Sequence, residues 1–214
     1  MENPWQKIAW KDYEDHMRLD SVFQLQALNA IMREQFSAYE GKTVMILGVA
    51  VGNGLEHINQ DRVQRVYGVD INPEYLRECQ RRCPQLEGIL QTVCADLTDP
   101  ALQLPRVDVL IANLLIEYIG SACFQRIVER GRPQAVSCVL QRDTGDSFVS
   151  VSPYQHVFDG LQTIHHSVEE GDLLARMEAV GYRKVLEKEM ALPNGKALVR
   201  MDFVENKGEE EWKT

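Results

Sequence analysis

The sequence predicts an α/β fold: a Rossmann-like three-layer sandwich around a seven-stranded, mostly parallel sheet, with one antiparallel strand supplied by a C-terminal hairpin. Three observations predict it. Residues 43–72, TVMILGVAVGNGLEHINQDRVQRVYGVDIN, read as an apolar strand over 43–47, a glycine turn over 48–54, a short helix over about 54–59 and a second apolar strand over 66–69 ending in Asp70. Two strands joined through a helix make a βαβ unit with a right-handed crossover, so they lie parallel. Further strand-like and helical patterns then alternate along the chain, as a doubly wound sheet requires. Last, Pro193-Asn194-Gly195 separates two strand-like runs over 182–192 and 196–204, and Asn-Gly in that place signals a hairpin.

Taken in order, residues 1–40 precede the first strand and predict a helical cap segment. The stretch containing Trp5, Trp10, Tyr13, His16 and Met17 is dense in large side chains, and Tyr13, His16 and Met17 share one side of a short helix. Ser21 with Gln24 suggests a capping box, and Val22, Leu25, Leu28, Ile31 and Met32 recur at helical spacing, predicting an amphipathic helix over 21–37. After Asp70, Asn72 is a good N-cap and Pro73 a good first helical residue, so a helix runs to about Arg82. Leu76, Cys79 and Cys83 fall on one face of it, so the two cysteines read as packing and no metal site is expected. A third strand over 88–94 leads to Asp96, Asp99-Pro100 starts a short helical turn, and a fourth strand spans 107–112. A helix over 121–130 and a fifth strand over 135–141 follow. Residues 142–167 are longer than an ordinary connection and carry Tyr154, His156, His165 and His166. Long loops at a sheet's carboxyl edge tend to be functional, and of two adjacent histidines at most one is expected to face a pocket. Ser167 with Glu170 suggests another capping box, before a stripe of Leu173, Leu174, Met177 and Val180 that Gly181 stops. The domain organisation expected is a helical cap over 1–40, one α/β domain over 41–205 and a disordered polar tail over 206–214.

Composition bounds the function. A chain of 214 residues with 44% hydrophobic and 26% charged residues is of ordinary globular make-up. No apolar run approaches the roughly 20 residues that span a bilayer. The N-terminus has no signal-peptide core, and five irregularly spaced cysteines suggest reduced thiols, so a cytoplasmic setting is expected; the oligomeric state expected is monomer or homodimer. A formal net charge of −9 argues against nucleic acid as the main partner. Arg77, Arg81 and Arg82 cluster on one helix but read as a solvated face.

The glycine turn carries the chemistry. Small residues at Gly48, Ala50, Gly52 and Gly54 let a ligand approach the backbone, and Asp70 at the tip of the next strand can accept two hydrogen bonds from a ribose diol. Both fall at the carboxyl ends of the strands, where such sheets bind ligands, and together they point to a nucleoside-containing ligand.

VMILGVAVGNG resembles the first signature of the class I S-adenosylmethionine-dependent methyltransferases, with Gly48, Ala50 and Gly52 in the three glycine places. VYGVDINPEYL resembles their second signature, with Asp70 in the ribose-binding place. ADLTD resembles the third, with Asp96 where an acid meets the adenine amino group. The sequence departs from the pattern at Ile46, where the family has an acid, and at Ala50, where it has its middle glycine. The C-terminal hairpin is similar to the family's strands six and seven. The resemblance implies S-adenosylmethionine as cofactor, contacts to it at Gly48, Val49, Ala50, Gly52, Asp70, Ile71, Asp96, Leu97 and Asn113, and methyl transfer as the reaction. It also implies that the N-terminal helices close over the site and that VDVLIANLLIEYIG lines the transfer pocket. Asn113 is not followed by Pro-Pro-Tyr or Pro-Pro-Phe, the tetrad of the family's amino-methylating nucleic-acid and protein enzymes, which favours a small-molecule acceptor. Acceptor-binding candidates are Tyr13, His16, Leu114, Glu117, Tyr118 and Tyr154, and Glu117, Tyr154, His156 and His165 are the groups that could serve as a general base. Three alternatives stay open: a non-catalytic S-adenosylmethionine-binding protein, a nicotinamide enzyme with an altered phosphate loop, and an RNA or protein methyltransferase.

Overall fold

The computed structural model describes residues 3–143, 145 and 147–206. Seven strands form one sheet: β1 (Thr43–Leu47), β2 (Arg65–Asp70), β3 (Leu90–Cys94), β4 (Val109–Asn113), β5 (Ala135–Arg142), β6 (Tyr182–Ala191) and β7 (Ala197–Glu205). Their order is β3-β2-β1-β4-β5-β7-β6. Every neighbouring pair is parallel except those made by β7, which runs antiparallel to both β5 and β6. The strand order reverses between β1 and β4, which opens a crevice at their carboxyl ends.

The period of two along β1 divides the core. Met45 and Leu47 join one cluster with Phe124, Leu173 and Phe203, while Val44 and Ile46 join the other with Met32, Leu76 and Cys79. The first cluster lies under α5 (Ser121–Gly131) and α6 (Glu170–Ala179), and the second lies under α3 (Pro73–Arg82) with part of α2 (Gln24–Ala38). Two further helices, α1 (Trp10–Arg18) and the single turn α4 (Ile116–Ile119), stand at the carboxyl edge. Asn72 caps α3 as expected, its side chain accepting from the Glu74 and Tyr75 amides.

Several local expectations change. The crossover between β1 and β2 holds only a 3-10 turn, Leu55–His57, because the Asn53 side chain ties this turn to the Leu25 carbonyl at 3.0 Å and Gly54 adopts a φ of 84°. α2 begins three residues later than its pattern suggests, and Ser21 does not cap it: Phe23 precedes the helix in a left-handed conformation with no side-chain cap. Ser167 does not cap α6 either, since its N-cap is Glu169. Asp99-Pro100 makes a turn, not a helix, with the Ala101 amide bonded to the Asp99 carboxylate. Arg81 and Arg82 are neutralised by Glu78 and, for Arg82, by Glu14 as well. Among the described residues no helix is long and apolar enough to cross a membrane. The expected tail lies outside the described residues beyond Asn206.

Candidate active site

A cavity of about 600 Å³ opens at the carboxyl ends of β1 to β5. Its floor at one end is the glycine turn. Gly48, Ala50, Gly52 and Gly54 all have positive φ, so the places that the sequence fills with small residues are places of left-handed backbone. Ala50 is the exception in chemistry, with a φ of 48° that costs a Cβ-bearing residue roughly 1 kcal/mol. Its amide is compensated by donating to Asp70 Oδ2 at 3.0 Å. The Gly48 and Val49 amides both donate to the Val69 carbonyl, and the Gly52 amide donates to Val49. Four N–H groups of this turn, at 48, 49, 50 and 52, are therefore engaged within the protein.

Asp70 is held from two sides. Oδ2 receives the Ala50 amide and Oδ1 receives the Asn72 amide at 2.9 Å, which leaves each oxygen with capacity for one more donor. Burial raises its carboxyl above the usual range, while those same amides pull it back. The Asn72 side chain reaches the other way and donates to the carbonyls of Trp5 and Ile8, pinning the N-terminal segment above the β2–α3 turn. Tyr13 from α1 then packs 5.6 Å from Tyr75 of α3, and Trp5 meets both Tyr13 and Tyr118 edge to face. Burial pushes the Tyr13 and Tyr75 hydroxyls upward, so both stay protonated donors.

The opposite end is built by α4, the end of β5 and the 142–167 connection. That connection is anchored by a 3-10 helix, Gln155–Thr163, whose Phe158 and Leu161 bury against Ile8, with Trp5 and Tyr118 packed alongside. The N-terminal segment and the connection thus share one small core that roofs the cavity. Lys196 secures the start of the connection, donating to Asp143 and to the carbonyls of Ser147 and Phe148, each at 2.7 Å. His165 stacks on Phe148 with ring centroids 3.9 Å apart. His16 is buried, bonded through Nδ1 to Ser152 Oγ at 2.7 Å, and burial lowers it to about 4, helped by the Lys196 charge. Glu117, at 7% exposure, accepts the Gln141 amide at 2.8 Å through Oε1, and burial raises its carboxyl to about 7.

Of the residues expected from sequence, Gly48, Ala50, Asp70, Ile71, Asp96, Leu97, Asn113, Tyr13, His16, Leu114, Glu117, Tyr118 and His165 all line this one cavity. Four do not. Val49 turns into the core over Gly68, where a Cβ would lie 3.1 Å from it. Gly52 packs on α3, and a Cβ there would sit 2.9 Å from Cys79 Sγ. Tyr154 joins the small core of the roof, and His156 is exposed. His165 and His166 both line the cavity, against the expectation of one, because the chain turns there and the His166 amide donates to the Glu117 carbonyl at 2.6 Å. Asn113 holds Gln35 of α2 in a two-way amide pair, both bonds 2.9 Å. Sequence reasoning missed Tyr75, Phe148 and the anchoring role of Asn72. Tyr75 had one available signal: it follows Asp70 by five residues in the first turn of α3, on the cap that faces the crevice.

Comparison with known proteins places this geometry. A methyltransferase domain family model matches residues 44–133. The fold is similar to the putative methyltransferase complexed with the Trm112 activator of Haloferax volcanii, with a TM-score of 0.68 and 13% identity over 98% of this chain and 100% of that one. It is similar to the N-methyltransferase NodS of Bradyrhizobium japonicum WM9, in complex with S-adenosyl-l-homocysteine, at 0.67 and 12% over 96% and 100%. It is also similar to the magnesium protoporphyrin IX methyltransferase of Synechocystis PCC 6803, with bound S-adenosylmethionine, at 0.61 and 12% over 89% and 82%. At these identities the likeness establishes the fold. No curated protein matches the chain in sequence.

The residues present fit a nucleoside cofactor without phosphates. Asp70 offers two acceptor positions for a diol, and the buried Tyr75 hydroxyl has no partner among the described residues. A dinucleotide would need free N–H groups or a helix N-terminus for its pyrophosphate. Here the amides at 48, 49, 50 and 52 are occupied, and the turn leads into three residues of 3-10 helix.

Proposed function

We propose that the chain is a class I S-adenosylmethionine-dependent methyltransferase and that it methylates a small-molecule acceptor bound under the roof formed by residues 3–18 and 147–168. The cofactor is S-adenosylmethionine, whose sulfonium supplies an already activated methyl group. The carrying observation for the acceptor is the roof itself. Ile8, Phe158 and Leu161 are each at most 4% exposed, so the two segments close the acceptor end as one packed unit. The whole cavity of about 600 Å³ must hold cofactor and acceptor together, which suits a small acceptor.

Each residue then has a role in the proposal. Asp70 would hold the ribose hydroxyls and Tyr75 would donate to the same end of the cofactor. Asp96 and Leu97 would border the adenine. Gly48 allows close approach, since a Cβ there would lie 3.2 Å from Leu115 on the cavity wall. The rings of Trp5 and Tyr13 would favour a cation beside them. The protein's contribution to rate is alignment of acceptor and methyl, with water kept out by the roof. Among the described lining residues the one Lys or Arg is Arg142, and it is paired with Glu170 and Glu189, which disfavours a polyanionic acceptor. All five cysteines are free thiols, in keeping with a reducing cytoplasmic setting.

The test is transfer of labelled methyl from S-adenosylmethionine into a fractionated cell extract. Label in the small-molecule fraction, absent with Asp70→Ala, is the expected result. Label confined to RNA or protein would overturn the small-molecule reading.

A further inference from the structure

We propose that the inner end of the cavity takes a primary or secondary amine, which Glu117 holds and deprotonates through Oε2; this deepens, and rests on, the methyl-transfer reading. Among the described residues three buried side-chain polar atoms have no partner: Gln26 Oε1, Tyr75 Oη and Glu117 Oε2. Folded proteins rarely leave such atoms unpaired, so an orphan on a cavity wall marks a place for a ligand group. Tyr75 and Glu117, which carry two of the three, are lining residues of this cavity, one at each end, with the orphan atoms buried just behind its surface. Tyr75 stands beside Asp70 and is accounted for by the cofactor. Glu117 stands at the other end, away from Asp70, and calls for a donor on the acceptor.

The carboxyl is fixed in place. Oε1 is held by the Gln141 amide, and the Glu117 carbonyl receives the His166 amide, so β5 and the roof clamp the residue from two sides. Oε2 is left as the free acceptor at a set position. The charges around it select the donor. Six acids line the cavity; Asp143 is matched by Lys196 and Glu170 by Arg142, which leaves Asp70, Asp96, Glu117 and Glu169 with no lining cation opposite them. An ammonium group gains from that surplus and from the neighbouring rings of Trp5, Tyr118 and Phe148. A hydroxyl gains no charge attraction, and a carboxylate or phosphate is repelled.

The step balances. Glu117 Oε2 takes a proton from the ammonium nitrogen and becomes a neutral acid. The lone pair so freed forms the N–C bond to the methyl, while the C–S bond breaks and its electron pair stays on sulfur. The product leaves as a methylated ammonium, and the acid returns its proton to solvent. Burial suits Glu117 to this, since a carboxyl raised to about 7 is a stronger base than an ordinary one and still releases its proton near neutrality.

The experiment compares three probes of one shape, 2-phenylethylamine, 2-phenylethanol and 3-phenylpropionate, titrated into the S-adenosylhomocysteine-saturated protein and into Glu117→Gln. Glutamine keeps an oxygen for the Gln141 amide, and its S-adenosylhomocysteine titration reports whether the variant is folded. The inference expects the amine to bind at least about tenfold more tightly than the other two, and Glu117→Gln to lose about tenfold or more for the amine alone. It is overturned if the alcohol or the carboxylate matches the amine, if no probe binds, or if a folded Glu117→Gln keeps the amine. Should that variant not fold, the ranking of the three probes on the native chain decides. Failure of S-adenosylhomocysteine itself to bind the native chain removes the methyl-transfer reading and this inference with it.

Discussion

The two ends of the cavity are built in opposite ways. The Asp70 end is made of backbone: a left-handed turn, amides folded onto Val69 and Asp70, and one carboxylate at a strand tip, all within residues 48–72. The Glu117 end is made of side chains drawn from residues 5, 117, 118, 148 and 165, brought together by a roof whose parts lie far apart in sequence. The first end is rigid because the sheet fixes it. The second depends on a small satellite core, so under the proposed function it is the end free to vary with the acceptor and the end easiest to damage without harming the other.

Phe158→Ala should show that independence with the largest effect. Phe158 is 4% exposed in the roof core, and emptying it should cost about 4 kcal/mol in the stability of that core. Methyl transfer should fall more than about tenfold while S-adenosylhomocysteine affinity, read by calorimetry, stays within about threefold. Equal loss of both would break the comparison. Asp70→Ala should do the reverse, weakening S-adenosylhomocysteine about 100-fold, or roughly 3 kcal/mol, since it removes charged acceptors and also releases the Ala50 and Asn72 amides. The roof should remain packed, with unchanged tyrosine and tryptophan fluorescence.

The difference also explains what could be read from sequence. The glycine turn, Asp70 and the capped helix at Asn72-Pro73 were legible because each is a local requirement on a few adjacent residues. The C-terminal hairpin was legible for the same reason, and Gly195 takes the positive φ that Asn-Gly foretells. The helix expected after the glycine turn failed because a distant bond, from Asn53 to Leu25, outweighs local propensity. Ser21 failed as a cap because a turn, with the Val22 and Phe23 amides on the Leu19 carbonyl, carries the chain past it, and Ser167 failed because the helix starts two residues later, after Glu169. At the acceptor end, Glu117 and Tyr118 could be named from their place after β4. Nothing local distinguished His165, which lines the cavity, from His156, which is exposed. Phe148 has no signal short of the three-dimensional structure.

Two buried titratable groups sharpen the comparison through pH. Burial raises Glu117 from 4.5 to about 7, so the folded chain keeps a proton that the unfolded chain has released. Its contribution to stability is complete below about pH 4.5 and is lost as pH rises to about 7, at most about 3 kcal/mol. His16, lowered from 6.5 to about 4, acts with the opposite sign: stability is present above about pH 6.5 and lost as pH falls toward 4, by up to about 2–3 kcal/mol. Urea denaturation should therefore show Glu117→Gln flattening the alkaline arm and His16→Gln the acidic arm. A native profile unchanged by either substitution would mean that neither group is held as described. The smallest effect belongs to the glycine turn. Ala50→Gly relieves a left-handed alanine and should raise stability by about 0.5–1 kcal/mol by melting temperature, with cofactor affinity unchanged.

The most direct measurement is the crystal structure of the chain with S-adenosylhomocysteine. The account predicts the ribose hydroxyls on the Asp70 carboxylate, the Tyr75 hydroxyl bonded to the ligand, and space left between the ligand's sulfur and Glu117 Oε2 under an ordered roof. A ligand that leaves Asp70 unbonded, or that fills the space before Glu117 itself, would contradict the division of the cavity into a cofactor end and an acceptor end.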